Sequence, residues 1–130
     1  MNILVALRET YVIWNELSRT GSCNKLSIVF DTFSHCANYK NACPCCEYTC
    51  QRLHTYYVDC SICPIWDQYN MCEDENSCYS KWKEDIYVEE NENPITIKMN
   101  RQKYAQELAD LAKENYDLLI SLGYTEDMDI

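Results

Sequence analysis

Cysteine spacing constrains this chain more than any other feature of its sequence. Ten cysteines occur in 130 residues, and four of them form two Cys-x2-Cys pairs, Cys43 with Cys46 and Cys60 with Cys63. A two-residue spacing lets both sulfurs of a tight turn face one ion, and two such pairs complete a tetrahedron around zinc. Thirteen residues separate the pairs, slightly fewer than is usual for such sites. The pattern predicts a structural zinc ion held by these four thiolates.

Other uses of the cysteines remain open alternatives. An even cysteine count in a short chain is also typical of disulfides. The chain begins without the basic residues and long apolar run of a secretory signal, so we expect a cytoplasmic protein whose thiols bind metal. An iron–sulfur cluster also takes four cysteines, although paired spacing with a long gap is more typical of zinc. A reactive dithiol usually lies in a βαβ pattern, which this sequence lacks.

Four further residues permit a second metal site, and alternatively one of them, Cys72, could replace one of the first four ligands. Cys50 and His54 are four apart and would share one face of a helix, and Cys72 and Cys78 follow downstream. We favour the simpler interpretation that Cys50 is a buried small apolar residue and His54 a surface residue. The remaining cysteines are most simply core residues or free thiols: Cys23, Cys36 and Cys45.

Apolar periodicity in the first third of the chain predicts helices. Apolar residues recur at spacings of three and four over 3–20, and Gly21 then ends the helix. The segment 25–39 fits both a helix and a short strand, and the helical pattern covers more of it. The expected buried stripes are Leu4, Leu7, Tyr11, Trp14 and Leu17 in the first segment, and Leu26, Val29, Phe30, Phe33 and Ala37 in the second.

A long helix is also predicted near the C-terminus. Asn93 is a good N-cap and Pro94 suits the first helical position, although a start at Asn100 is the alternative. An apolar stripe that includes Leu108, Leu118 and Leu122 should pack on the N-terminal helix. We expect one mainly α domain with an inserted zinc-knuckle region. It divides into N-terminal helices (1–40), the cysteine-rich region (41–82), an acidic loop (83–93), the C-terminal helix (94–123) and a frayed tail (124–130).

The charge of the chain bears on its partners. Its net charge is −10, and nine acidic and two basic residues lie between 67 and 92. A nucleic-acid binder needs a basic surface, so direct nucleic-acid binding is not expected. No stretch approaches the roughly 20 apolar residues that span a bilayer. Aromatic rings amid charge are typical of protein interfaces, which predicts a partner with a basic surface. The predicted contact residues are Trp66, Tyr69, Tyr79 and Trp82; alternatively, these rings cover the zinc core.

Several motifs occur in an order that resembles a known family. They are Trp14 in an N-terminal helix, the Cys43–Cys46 pair, Cys60-Ser61-Ile62-Cys63-Pro64, Cys72, Ser77-Cys78-Tyr79 with Trp82, and a C-terminal helix. This order resembles a family of small cysteine-rich proteins of bacteriophages and prophages. The family usually has proline where this chain has Cys78. The resemblance implies a viral source and a metal knuckle, and it implies no mechanism.

The sequence contains no recognisable catalytic set. Its two histidines, His35 and His54, lie in no acid–base or nucleophile motif, and two glycines could hardly build a phosphate loop. We therefore expect a non-enzymatic protein-interaction module; in a phage setting, this would be an inhibitor of a host defence or transcription protein. The apolar face of the C-terminal helix also permits a homodimer. The alternatives are a protein that sequesters nucleotides or other small molecules, which the negative charge disfavours, and a thiol redox protein.

Overall fold

The protein is mainly helical in the computed structural model. Helices account for 77% of the described residues and no strand occurs among them, which confirms the predicted mainly α class. The inserted zinc-knuckle region stays a prediction. Within the described part of the chain, no helix is long and apolar enough to cross a membrane. The structure describes residues 1–22, 24–39, 43–55, 62–65, 72, 77–84 and 93–127.

Helix α1 (Ile3–Thr20) has the bounds that its periodicity predicts. The Asn2 side chain caps it by accepting hydrogen bonds from the Leu4 and Val5 amides at 2.8 and 3.2 Å. Gly21 ends it in the left-handed region, at φ 67°, and donates to the Leu17 carbonyl at 2.9 Å. The predicted stripe is buried except for Tyr11, which is half-buried.

The segment after α1 is shorter and less buried than predicted. Helix α2 (Lys25–Thr32) ends at Phe33, whose backbone is extended, and a separate 3-10 helix (Ser34–Asn38) follows. The single helix predicted over 25–39 is therefore wrong beyond Thr32. Only Val29 of α2 is fully buried, whereas Leu26 and Phe30 are exposed, because this short helix contacts the core along one narrow line.

The cysteine-rich region contains two helices in its described part. Helix α3 (Pro44–Leu53) has Cys43 as its N-cap and Pro44 in its first turn, and His54 closes it with φ 52°. Helix α4 (Cys78–Glu84) lies at the end of the region and contacts the C-terminal helix. Helix α3 packs on α1, so the first cysteine pair is attached directly to the core.

Helix α5 (Pro94–Ser121) is the longest element, and the Asn93 side chain caps it by accepting from the Ile95 amide at 2.8 Å. The start predicted at Asn93-Pro94 is thereby confirmed. Helices α1 and α5 form the most extensive packing among the described elements, which confirms that they pack together as predicted. They run antiparallel, because Asn2 contacts Thr125 and Ser18 contacts Gln102. Three alanines at full burial let the two backbones approach closely: Ala105, Ala109 and Ala112.

The tail differs from the frayed segment that the sequence predicts. The Asn2 side chain donates to the Thr125 carbonyl at 3.1 Å, and Arg8 Nε donates to Glu126 Oε1 at 2.7 Å. These contacts hold residues 124–127 against the N-terminal half of α1. Residues 128–130 lie outside the described part.

Candidate metal centre

The start of α3 brings several thiols together. Hydrogen bonds link the Cys43 sulfur to the thiols of Cys45 and Cys46, and the Cys45 thiol to that of Cys63. Of the four predicted zinc ligands, Cys43 contacts Cys46 directly. Cys63 joins them through Cys45, although 17 or more positions separate Cys63 from Cys43 and Cys46 in sequence. The fourth predicted ligand, Cys60, lies outside the described residues. We refer to Cys43, Cys45, Cys46 and Cys63 as the thiol cluster.

Protons are shared unequally within the thiol cluster. Hydrogen bonds from the Cys45 and Cys46 thiols hold the pKa of Cys43 well below its usual value, and the Lys25 ammonium acts in the same direction. Burial and the Cys43 and Cys63 sulfurs raise the pKa of Cys45. The hydrogen bond to Cys43, followed by burial, raises the pKa of Cys46. The cluster therefore stabilises one thiolate, the form in which cysteine binds metals or attacks disulfides.

Cys45 joins the thiol cluster to helix α1. Its sulfur lies 3.1 Å from Thr10 Oγ1 and 3.7 Å from the Ala6 carbonyl oxygen, and its side chain is fully buried. Thr10 is a fully buried hydroxyl on the core face of α1. The expectation that Cys45 is a core residue agrees with this position, and its contact with Cys63 is not predicted from the sequence.

A second group of metal-binding side chains lies between α1 and the 3-10 helix. Glu9, His35 and Cys36 each offer one ligand atom, and these three atoms all lie within 4.8 Å of one another. His35 Nε2 lies 2.8 and 3.1 Å from the two Glu9 oxygens, and Cys36 Sγ lies 4.0 Å from Oε2. Such a group could hold a metal ion. We refer to it as the Glu9 cluster.

Tyr39 completes the surroundings of the Glu9 carboxylate. Its hydroxyl donates to Oε1 at 3.2 Å, with a longer contact of 3.4 Å to Oε2. Burial and then the Glu9 charge raise the pKa of Cys36 to about 11, and the same two causes raise the pKa of Tyr39. Both groups therefore carry their protons at neutral pH in the metal-free protein.

The Glu9 cluster is not predicted from the sequence because its members are far apart in the chain. Local sequence marks His35 only as a histidine without a motif and Cys36 only as a core or free thiol, and it assigns Glu9 no role. The one available signal is that Glu9 lies on the apolar face of α1, where a lone charged residue is unusual.

The second site considered from the sequence has different contacts in the structure. Cys78 donates to Glu107 Oε2 of α5 at 3.0 Å, and the Cys72 carbonyl accepts from Ser77 and Ser80 at 3.2 and 3.0 Å. Cys50 is buried and His54 is exposed, in agreement with the simpler interpretation. None of the eight cysteines in the described residues forms a disulfide.

The aromatic residues predicted to bind a partner fall into two groups. Trp66 and Tyr69 lie outside the described residues. Trp82 is 3% exposed and packs edge-on against Trp14, with ring centroids 4.9 Å apart, and half-buried Tyr79 stacks beside it. Trp82 is thus buried in the helical core. Lys25 Nζ lies 5.0 Å from the Trp14 ring, in a cation–π contact.

A small groove between α1 and α5 bears on the small-molecule alternative. It encloses about 220 Å³ and is lined by Arg8, Tyr11, Lys113, Tyr116 and Asp117. Its two cations are already paired, because Arg8 contacts Glu126 and Lys113 contacts Asp117 at 3.4 Å. A phosphate would have to displace these carboxylates, so the groove is a poor nucleotide site.

Comparisons with known proteins identify no relative of this chain. No family model, no curated protein and no solved structure matches this chain. Fold and candidate sites together define a small, cysteine-rich helical protein with a cluster that could hold a metal ion. The resemblance to the phage family stays a prediction from the sequence.

Proposed function

We propose that the chain is a non-catalytic structural-zinc protein that binds another protein. The observation that carries the zinc part is the contact of Cys43 with its neighbouring thiols at the start of α3, with Cys63 approaching from a distant segment. The proposed ligands are Cys43, Cys46, Cys60 and Cys63. Four thiolates fill a tetrahedral zinc site and leave no position for catalysis.

Zinc would join two segments of the fold. Helix α1 holds α3 directly. Residues 62–65 contact the core through the buried side chains of Cys63 and Ile65 and through a 2.8 Å hydrogen bond from the Asn115 side chain to the Pro64 carbonyl. Metal binding adds its free energy to folding, on the order of 10 kcal/mol in zinc-finger peptides. An ion bound by both cysteine pairs would tie this segment to the start of α3.

Elemental analysis of zinc in the purified full chain tests this part. We expect Cys43→Ser to remove one zinc ion per chain and to lower the thermal midpoint. Cys78→Ser is the matched control, because Cys78 contacts Glu107 rather than the thiol cluster. An unchanged zinc content in Cys43→Ser would overturn the proposed site.

The surface of α5 supports a protein partner. Leu118 and Leu122 lie one turn apart and are 57% and 66% exposed, and acidic residues, among them Asp117, lie alongside them on the same helix. Exposed apolar side chains within an acidic surface suit a partner that presents apolar residues ringed by basic ones. A partner of that kind agrees with the net charge of −10.

A paired affinity experiment tests the partner. The wild-type chain and the double variant Leu118→Glu, Leu122→Glu are each used as bait in a bacterial lysate, the setting that the phage resemblance implies. A protein retained by the wild type and lost by the variant supports this surface. Equal capture by both chains contradicts it, and self-association detected by analytical ultracentrifugation would favour the homodimer.

A thiol redox role is the second candidate, and one observation favours it. Cys43-Pro44-Cys45-Cys46 begins α3, and a lowered pKa at Cys43 with Cys46 three positions later is the arrangement of a reactive dithiol. This role predicts that oxidised glutathione, itself reduced to two thiols, converts Cys43 and Cys46 of the metal-free protein to a disulfide. The disulfide would be seen as the loss of two hydrogens by mass spectrometry and would be reversed by a reducing thiol. We rank it second because Cys63 also joins the cluster, whereas a dithiol needs only two sulfurs.

A further inference from the structure

A buried carboxylate on the core face of α1 requires compensation. Glu9 is 2% exposed and lies on the same face as Ala6 and Ile13, which are both fully buried. An ionised carboxylate in such a place is costly unless it is paired or binds a metal. Its neighbours are not all apolar core side chains, because His35 and Cys36 both lie within hydrogen-bond distance of it.

The three ligand atoms are close to the spacing that a metal imposes. Around tetrahedral zinc, with bonds of about 2.0–2.3 Å, ligand atoms lie roughly 3.3–3.6 Å apart. His35 Nε2 is 3.1 Å from Glu9 Oε2, and Cys36 Sγ is 4.0 Å from the same oxygen. A shift of the sulfur by about half an ångström would bring it to the ligand-to-ligand distance from Oε2, and Nε2 and Sγ lie within 4.8 Å of each other.

We propose that Glu9, His35 and Cys36 form a second divalent-metal site, selective for zinc-class ions and separate from the thiol cluster. One carboxylate, one imidazole and one thiolate suit borderline metals such as Zn²⁺ and Co²⁺ better than Mg²⁺ or Ca²⁺. The carboxylate and the thiolate together neutralise the charge of the ion, and the thiol proton of Cys36 is released on binding.

The site differs from the thiol cluster in having an open position. Three protein ligands leave the fourth tetrahedral position to water, and His35, whose side chain is 52% exposed, forms the solvent side of the site. Tyr39 is a positioning residue, because its hydroxyl donates to the carboxylate that would bind the metal. Such outer contacts orient a ligand and typically change metal affinity 10–100-fold.

Zinc stoichiometry of the full chain tests the proposal. We expect two zinc ions per wild-type chain, and one in His35→Asn, which alters an exposed side chain and should leave the fold intact. His54→Asn is the matched control, since His54 is the other histidine of the chain and asparagine tolerates its left-handed backbone. His54→Asn should keep both ions, and circular dichroism checks that all variants are folded.

Co²⁺ titration gives a second readout. Binding at this site creates one cobalt–thiolate bond, so Cys36→Ser should lose the corresponding charge-transfer absorption while the bands of the thiol cluster persist. Tyr39→Phe should weaken Co²⁺ binding at this site about 10–100-fold without abolishing it.

The outcomes separate this proposal from the structural-zinc proposal. Equal zinc content in the wild type and His35→Asn would overturn the Glu9 site, and would leave Glu9 and His35 as a simple hydrogen-bonded pair. Loss of an ion in His54→Asn instead would assign the second site to the cysteines near α3 and also overturn it. Loss in His35→Asn with no loss in Cys43→Ser would support the Glu9 site and reject the thiol-cluster zinc.

Discussion

Two leucines that look alike in the sequence should differ sharply in their contribution to stability. Leu17 of α1 and Leu118 of α5 both belong to predicted buried stripes, yet Leu17 is fully buried and Leu118 is 57% exposed. Leu→Ala removes three carbons, about 2.4 kcal/mol of transfer free energy at roughly 0.8 kcal/mol per CH₂. A cavity at a fully packed site raises the cost, so we expect Leu17→Ala to lower the free energy of unfolding by about 3–4 kcal/mol.

The cost at Leu118 should be much smaller. Little more than two-fifths of its surface is buried, so Leu118→Ala should lower the free energy of unfolding by at most about 1 kcal/mol. For a chain of this length about 1 kcal/mol corresponds to roughly 4 °C in the thermal midpoint. Leu17→Ala should therefore melt about 12 °C or more below the wild type, and Leu118→Ala within about 4 °C of it.

Urea unfolding followed by far-ultraviolet circular dichroism, with zinc and reductant present, measures both values. Equal costs for the two variants would refute the different burial of these leucines. A large cost at Leu118 that grows with protein concentration would mean that a second copy covers α5, and a large cost independent of concentration would mean that another segment of the chain does.

Two further predictions concern local structure. Gly21→Ala should lower the free energy of unfolding by about 1–2 kcal/mol, because the left-handed backbone disfavours a side chain and the new Cβ would meet Lys98 Cγ at 2.7 Å. Urea unfolding measures this loss, and an unchanged free energy of unfolding would contradict the role of Gly21 as the helix cap. Burial, then the hydrogen bond to Glu107, raises the pKa of Cys78 to about 11. The native fold therefore favours the protonated thiol. The resulting contribution to the free energy of unfolding is complete below the ordinary pKa of 9.0 and is lost as pH rises through about 11. Alkylation of Cys78, followed by peptide mass mapping, should therefore accelerate over that pH range, and Glu107→Gln should move the midpoint down; an unchanged midpoint would show that Glu107 has no effect.

The two long helices follow directly from local sequence signals. Gly21 and the Asn93-Pro94 pair mark helix ends through contacts within a few residues, so periodicity and caps suffice to place α1 and the start of α5. The prediction that Leu118 is buried is wrong for a geometric reason. It lies six residues after Ala112, and at about 100° per residue it points roughly 120° away from that fully buried alanine.

The break after α2 and the helix α3 were harder to predict. The extended backbone at Phe33 follows no proline or glycine, and the 3-10 helix after it is held where His35 and Cys36 meet Glu9 of α1. That contact spans 26 residues and has no counterpart in local periodicity. In the same way, the Cys-x2-Cys spacing predicts neighbouring sulfurs, but it does not predict that Cys43 is also the N-cap of a helix.

Polar residues on the buried face of α1 connect the thiol cluster and the Glu9 cluster to the fold. Among the buried residues of that helix only Glu9 and Thr10 are polar, and each contacts a different cluster: Glu9 contacts His35 and Cys36, and Thr10 contacts Cys45. A helix chosen only for packing would place apolar side chains at both positions, because burying a carboxylate and a hydroxyl lowers stability unless they have partners. Helix α1 therefore positions both clusters as well as forming the core. For this reason, Glu9→Gln should change metal content more than it changes stability, whereas the reverse is expected for Leu17→Ala.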